Sequence, residues 1–159
     1  RAHFGILQEY TRSGMVNDMI ILENKKMFEV AGAGTTLKYF EKVNFLIYNT
    51  IQNIMYCRHV KPDFGRLHER KEISSISTIG LGKFPEEEKL LFLLDNITET
   101  CYIINIEEED LDNDESIIPS CQNIVRENKA LARNTSFAIW KSSDENNYFS
   151  IHYTHFIQE

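Results

Sequence analysis

The chain has 159 residues, 42% of them hydrophobic and 11% aromatic, and its 24 acidic against 17 basic side chains leave a net charge of −7. That apolar share excludes an intrinsically disordered chain and suits one domain that buries roughly two-thirds of its unfolded surface. No stretch of eighteen uncharged apolar residues occurs, which excludes a membrane-spanning helix of ordinary length.

In chain order, Arg1-Ala2-His3-Phe4-Gly5 has neither an initiator Met nor a signal-peptide pattern, so the start reads as a boundary within a longer protein. Residues 4–10, 18–22 and 27–30 are short apolar runs separated by turn residues at 12–14 and 23–26. They are expected to be three strands of a meander. From Thr36 the period changes. Leu37, Phe40, Val43, Ile47, Ile51, Ile54 and Met55 recur at three- and four-residue steps, which predicts a helix over about 36–57. Thr35 or Thr36 can cap its start, Arg58 and His59 suit its C-terminus, and Pro62 prevents continuation. No charged residue falls between Val43 and Cys57, so this helix is expected to be buried on more than one face.

Ile73 to Ile79 alternates Ile with Ser, a half-buried strand pattern. Residues 90–94 and 100–106 flank a polar turn and are expected to form a hairpin. Seven carboxylates then crowd into the nine residues from Glu107 to Glu115, a run that carries the whole net charge. Their mutual repulsion predicts a solvated acidic loop over 107–116. A shorter helix is expected over about 118–133, followed by a terminal hairpin of 136–140 and 148–157 whose second strand forms an exposed edge. The expected fold is α+β: mainly antiparallel sheet(s) with one long buried helix and a shorter second one, in a single globular domain over 1–159.

The motifs that could carry chemistry are weak. Gly32-Ala33-Gly34-Thr35-Thr36 lies between an expected strand and a helix, where backbone amides can cradle a phosphate. It lacks the third glycine of a dinucleotide loop and the Gly-Lys-Ser/Thr of a P-loop. Asp63 with Glu69 and Lys71 echoes the two-acid-plus-lysine set of metal-dependent nucleases, but at a spacing that makes convergence doubtful. His152-Tyr153-Thr154 is a single His-x-Thr unit where a two-histidine phosphoesterase needs two. No Cys-x-x-Cys or His-x-x-x-His pair occurs, so no metal or cofactor is expected. Cys57, Cys101 and Cys121 are odd in number and widely spaced, which points to reduced thiols in the cytoplasm or nucleus. The Asn96 and Asn134 sequons are short enough to arise by chance.

The dense basic stretch from Arg58 to Lys71 is where an anionic partner would be attracted. The expected function is a non-catalytic protein-protein interaction module of an intracellular multidomain protein. Arg58, Lys61, Arg66, Arg70 and Lys71 would meet an acidic partner, and Tyr148, Tyr153 and Phe156 on the exposed edge a strand-forming peptide. The alternatives are nucleic-acid binding by residues 58–71, against which the acidic pI of about 5.3 counts, and a phosphate-ester enzyme.

Overall fold

The computed structural model describes residues 2–32, 35–69, 75–128, 132, 134–143 and 145–159. Its centre is a strand that the sequence makes apolar without interruption at one end. Residues Tyr102 to Ile104 and Ile106 are all fully buried, so β5 (Glu99–Glu107) must be covered on both faces. It lies in the interior of a seven-stranded sheet. Parallel to it on one side runs β6 (Asn134–Ser142); antiparallel on the other runs β7 (Asn147–Thr154). Beyond β7 come β3 (Ile76–Lys83), antiparallel, and then β1 (Met19–Ile20), parallel to β3. The far edge is β2 (Phe64–Arg66), antiparallel to β6, while the two-residue β4 (Lys89–Leu90) adds to β3.

The sheet is therefore mixed, which corrects the expected antiparallel fold. The terminal hairpin fails because β5 lies between β6 and β7, and the 90–94/100–106 hairpin fails because β4 pairs with β3 instead. Helices link β5 to its parallel neighbour: α4 (Glu108–Asn113) and α5 (Ile117–Asn128). Such a crossover is the connection that parallel pairing requires. The acidic run, expected as a loop, thus winds into α4. Its repulsion is eased by Lys141, whose ammonium lies 2.9 Å from Glu108 and 3.6 Å from Asp112. The Ser116 side chain, and after it the Ser116 amide, hydrogen-bond to Asp114 and hold its carboxyl below the usual range.

Two expected strands are helices. In α1 (Ala2–Arg12) the apolar Ile6, Leu7 and Tyr10 face outward, and the buried positions are Gln8 and Thr11. Gln8 acts as a surrogate backbone partner: it donates to Gln158 O at 2.9 Å and accepts from Gln158 N at 2.7 Å. That contact across 150 residues is invisible to any local pattern. Residues 24–31, expected to be a turn and a strand, form α2 (Asn24–Ala31), held to the next helix by Tyr39 OH donating to Asn24 Oδ1.

The long helix α3 covers Thr36–His59, close to the expected span. It is not a buried rod. Tyr39, Val43, Thr50, Ile54 and Cys57 turn inward, while Phe45 is 68% exposed and Ile51 41%. The layers are α2 and α3 on one sheet face and α5 on the other. Ile54 and Cys57 meet Ile79, Ile103, Trp140 and Ile151. On the opposite face Ile117, Cys121 and Ile124 meet Tyr102, Ile104, Ile106 and Ile139. Among the described residues no helix is long and apolar enough to cross a membrane. Because β5 supports both layers, Ile103→Ala is expected to lower the unfolding free energy in urea by about 3 kcal/mol. Ile6→Ser on the open face of α1 should change it by less than about 0.5 kcal/mol.

Candidate functional site

The end of α3 is tied down over one sheet face by a short series of contacts. Val60 O accepts the Trp140 indole N–H at 3.0 Å, Asp63 N donates to Ile139 O, and the Asp63 carboxylate accepts from Lys141 N at 2.9 Å. Gly65, at φ 78°, then lets β2 lie flat on β6; a Cβ there would meet Phe137 O at 2.6 Å. His68 N donates to Ser136 Oγ. Between this strap, the helix end and the sheet lies a cavity of about 540 Å³. Its floor is apolar, with Ile103, Trp140 and Ile151 beside the thiols Cys57 and Cys101. Arg58, Lys61, Arg66 and His68 line it as well, together with Asp18 and Glu69. Arg58 donates to the Tyr153 hydroxyl at 3.1 Å and stands 4.0 Å from the Asp18 carboxylate.

The structure thus gathers Arg58, Lys61, Arg66 and Tyr153 around one cleft. Arg70 and Lys71 lie outside the described residues. Tyr148 is on the opposite sheet face, buried, with its hydroxyl donating to Glu86 O at 2.6 Å. Phe156 follows β7, exposed and stacked near His155. The exposed-edge premise is corrected: β7 is an interior strand paired on both sides, so its backbone cannot receive a peptide. Of the nuclease-like set, Asp63 and Glu69 are among the described residues. The Asp63 carboxylate is occupied by β6, Glu69 lines the cavity and Lys71 is outside the described residues. No cluster of three metal-binding side chains occurs among the described residues. Of the glycine turn, Gly32 closes α2 by donating to Phe28 O, and Thr35 caps α3 without a side-chain bond.

A second polar cluster gave no warning in the sequence. Glu88, on the turn before β4, reaches onto the β5–β7 face. One carboxylate oxygen accepts the Ser150 hydroxyl, and the other stands 3.1 Å from His152 Nε2. Thr100 Oγ1 lies 3.0 Å from Nδ1 of the same ring, and Tyr102 OH 3.5 Å from Glu88. Gly80 makes this possible, since a Cβ there would collide with Ser150 Oγ and the Glu88 carboxylate. A hydrolase triad is ruled out by geometry. Serine and acid both approach Nε2, whereas a triad places them on opposite ring nitrogens, and Ser150 and His152 are almost fully buried. The cluster is a latch holding the 84–88 turn. The glycines at 80 and 82 of β3 were the one available signal, because glycine inside a strand often marks a close approach.

No protein family and no curated protein sequence matches this chain. Solved structures do. An FtsZ dimer from M. jannaschii superposes at a TM-score of 0.61 with 10% identity, over 94% of this chain and 50% of the other. CetZ from Methanosaeta thermophila gives 0.59 at 10% identity, over 89% and 44%. A point mutant of the M. jannaschii FtsZ gives 0.63 at 12% identity, over 90% and 48%. The chain has an FtsZ-like, tubulin-type fold. It spans about half the length of the structures it matches. The expectation of a non-catalytic interaction module is corrected by these matches, since the structural neighbours are FtsZ and CetZ.

Burial pushes the Cys57 thiol up to about 11 and that of Cys121 to about 12, and raises Cys101 as well. Tyr102 and Tyr148 are raised by burial first and then by the Glu88 carboxylate. Each group favours its neutral form in the fold. Its contribution is therefore complete below the unfolded-state value, about 8.5 for thiols and about 10 for phenols, and is lost as pH climbs toward the folded value. The urea midpoint is expected to hold up to about pH 8 and to fall between about pH 9 and 11; a midpoint unchanged at the upper end would contradict the burial of these groups. Separately, Glu88→Ala removes the carboxylate that both Ser150 and His152 approach and should cost about 2 kcal/mol of stability in urea at neutral pH. A neutral effect would remove the latch.

Proposed function

We propose that this chain is one half of a tubulin-type subunit, and that the protein containing it binds GTP and associates with copies of itself. The observation that supports the reading is the three-layer arrangement around the β5–β6 parallel pair, matched over at least 89% of the chain by FtsZ and CetZ structures. One of those structures is described as a dimer, which favours self-association over a heterologous partner. Fold by itself does not fix chemistry, and the identities are 10–12%, so the activity belongs to the whole protein and is tested there. Arg58, Lys61 and Arg66 at the cleft, and the exposed Phe156, are retained in this reading as contacts toward a second copy. We take the cytoplasm as its compartment and set the nuclear alternative aside.

The test uses the complete natural polypeptide. GTP is expected to bind in calorimetry and to raise the fraction that pellets on centrifugation, and Arg66→Glu to lower that fraction at unchanged GTP affinity. No heat of binding with GTP up to about 1 mM, an affinity of only about −4 kcal/mol, together with a monomer by sedimentation velocity, would overturn the proposal.

A further inference from the structure

We infer that the cleft beyond the end of α3 is a binding site for a small amphipathic carboxylate, an apolar body carrying one negative charge. The inference goes beyond the GTP reading and does not rest on it. The cavity holds about 540 Å³, within the range of small-molecule sites and roomy enough for a body of about ten carbons. Its inner wall is apolar and buried: Ile103, Trp140 and Ile151, with the thiols of Cys57 and Cys101. The polar atoms of that wall are already engaged. The Trp140 indole N–H donates to Val60 O, and the Tyr153 hydroxyl accepts from Arg58. Burial raises both cysteines, so each stays a neutral thiol that packs as a small hydrophobe. What fits against such a wall is hydrocarbon.

The mouth has the opposite character. Arg58, Lys61 and Arg66 stand there exposed, three cations beside the carboxylates of Asp18 and Glu69. Arg58 is held within the fold, 4.0 Å from Asp18 and 3.1 Å from the Tyr153 hydroxyl. Among the described residues, neither Lys61 nor Arg66 pairs with a carboxylate. A guanidinium matches the two oxygens of a carboxylate with parallel N–H donors, and an ammonium adds a point charge beside it. Arg66 is therefore the anchor and Lys61 its support. The balance of the mouth selects among anions. With the histidines left aside, one positive charge remains in excess, which suits a monoanion. A phosphate ester brings about two negative charges and would be repelled by Asp18 and Glu69.

The two parts are held in register before any guest arrives. Val60, Asp63 and His68 fasten the strap to β6 through Trp140, Ile139, Lys141 and Ser136. The cations of the strap thus keep a fixed distance from the apolar wall on the sheet. A site built in this way loses little ordering entropy when it is filled.

The test titrates 2-naphthoate, 2-naphthol and 2-naphthyl phosphate into the natural polypeptide by calorimetry at neutral pH. It is run without nucleotide and at a dilution where sedimentation shows a single copy, so failure of GTP binding or of self-association leaves its outcome unchanged. One 2-naphthoate per polypeptide is expected to bind with a Kd below about 0.3 mM, and the phosphate at least about fivefold more weakly. Lys61→Gln with Arg66→Gln should weaken 2-naphthoate at least about tenfold and change 2-naphthol by less than about twofold. Leu67→Trp narrows the cavity from the strap and should weaken both. No saturable heat with 2-naphthoate up to about 3 mM would overturn the inference. So would a phosphate bound more tightly than the carboxylate, or a double variant that binds 2-naphthoate as the natural protein does. If Leu67→Trp folds and leaves both affinities unchanged, the guest sits elsewhere and the inference fails. If it does not fold, the double variant of exposed side chains decides alone.

Discussion

A strand covered on both faces and paired along both edges constrains everything around it. Ile103 faces α3 and its own neighbours Tyr102 and Ile104 face α5, so a shift of one residue in β5 would exchange two cores at once. With β6 parallel on one side and β7 antiparallel on the other, the register of three strands is set together. The helices follow from the sheet. The connection from β5 to its parallel neighbour has to cross a face, and α5 is the segment that does so.

The two sheet faces then serve different ends. One carries an apolar core that opens, beyond the end of α3, into a cleft lined by arginines, a lysine and two histidines. The strap that bounds this cleft depends on backbone acceptors of β6 and on one glycine at positive φ. The opposite face carries a buried polar cluster in which one glutamate reaches a serine, a histidine and a tyrosine. Each buried polar atom of that cluster has a partner, which is the condition for such a network to be tolerated in a low-dielectric interior. Neither arrangement presents an accessible nucleophile: the thiols are buried, and the serine is sealed beneath the 84–88 turn.

The helix α3 divides its apolar side chains between two faces. Its inner stripe belongs to the domain described here. Its outer face mixes exposed apolar side chains, among them Phe45, Tyr48 and Met55, with the exposed polar Glu41, Asn44 and Gln52.

Local periodicity alone determined the span of α3 to within two residues, the existence of α5 and the presence of strands near residues 76 and 100. Hydrophobic spacing is a property of the element itself and survives in any context. The uncharged run from Val43 to Cys57 misled on burial: it suggested cover on several sides, and the described residues bury only one face of α3. What the tertiary structure decided was every pairing. Residues 136–140 and 148–157 look like a hairpin because they are adjacent in sequence, yet β5 comes between them. The run 4–10 looks like a strand until Gln8 is seen bonded to Gln158. The latch joins Glu88 to Ser150 and His152 across more than 60 residues, and the cleft joins Arg58 to Tyr153 across 95. Such contacts depend on which strands lie side by side, and that is settled by the burial of the whole sheet, not by any window of sequence.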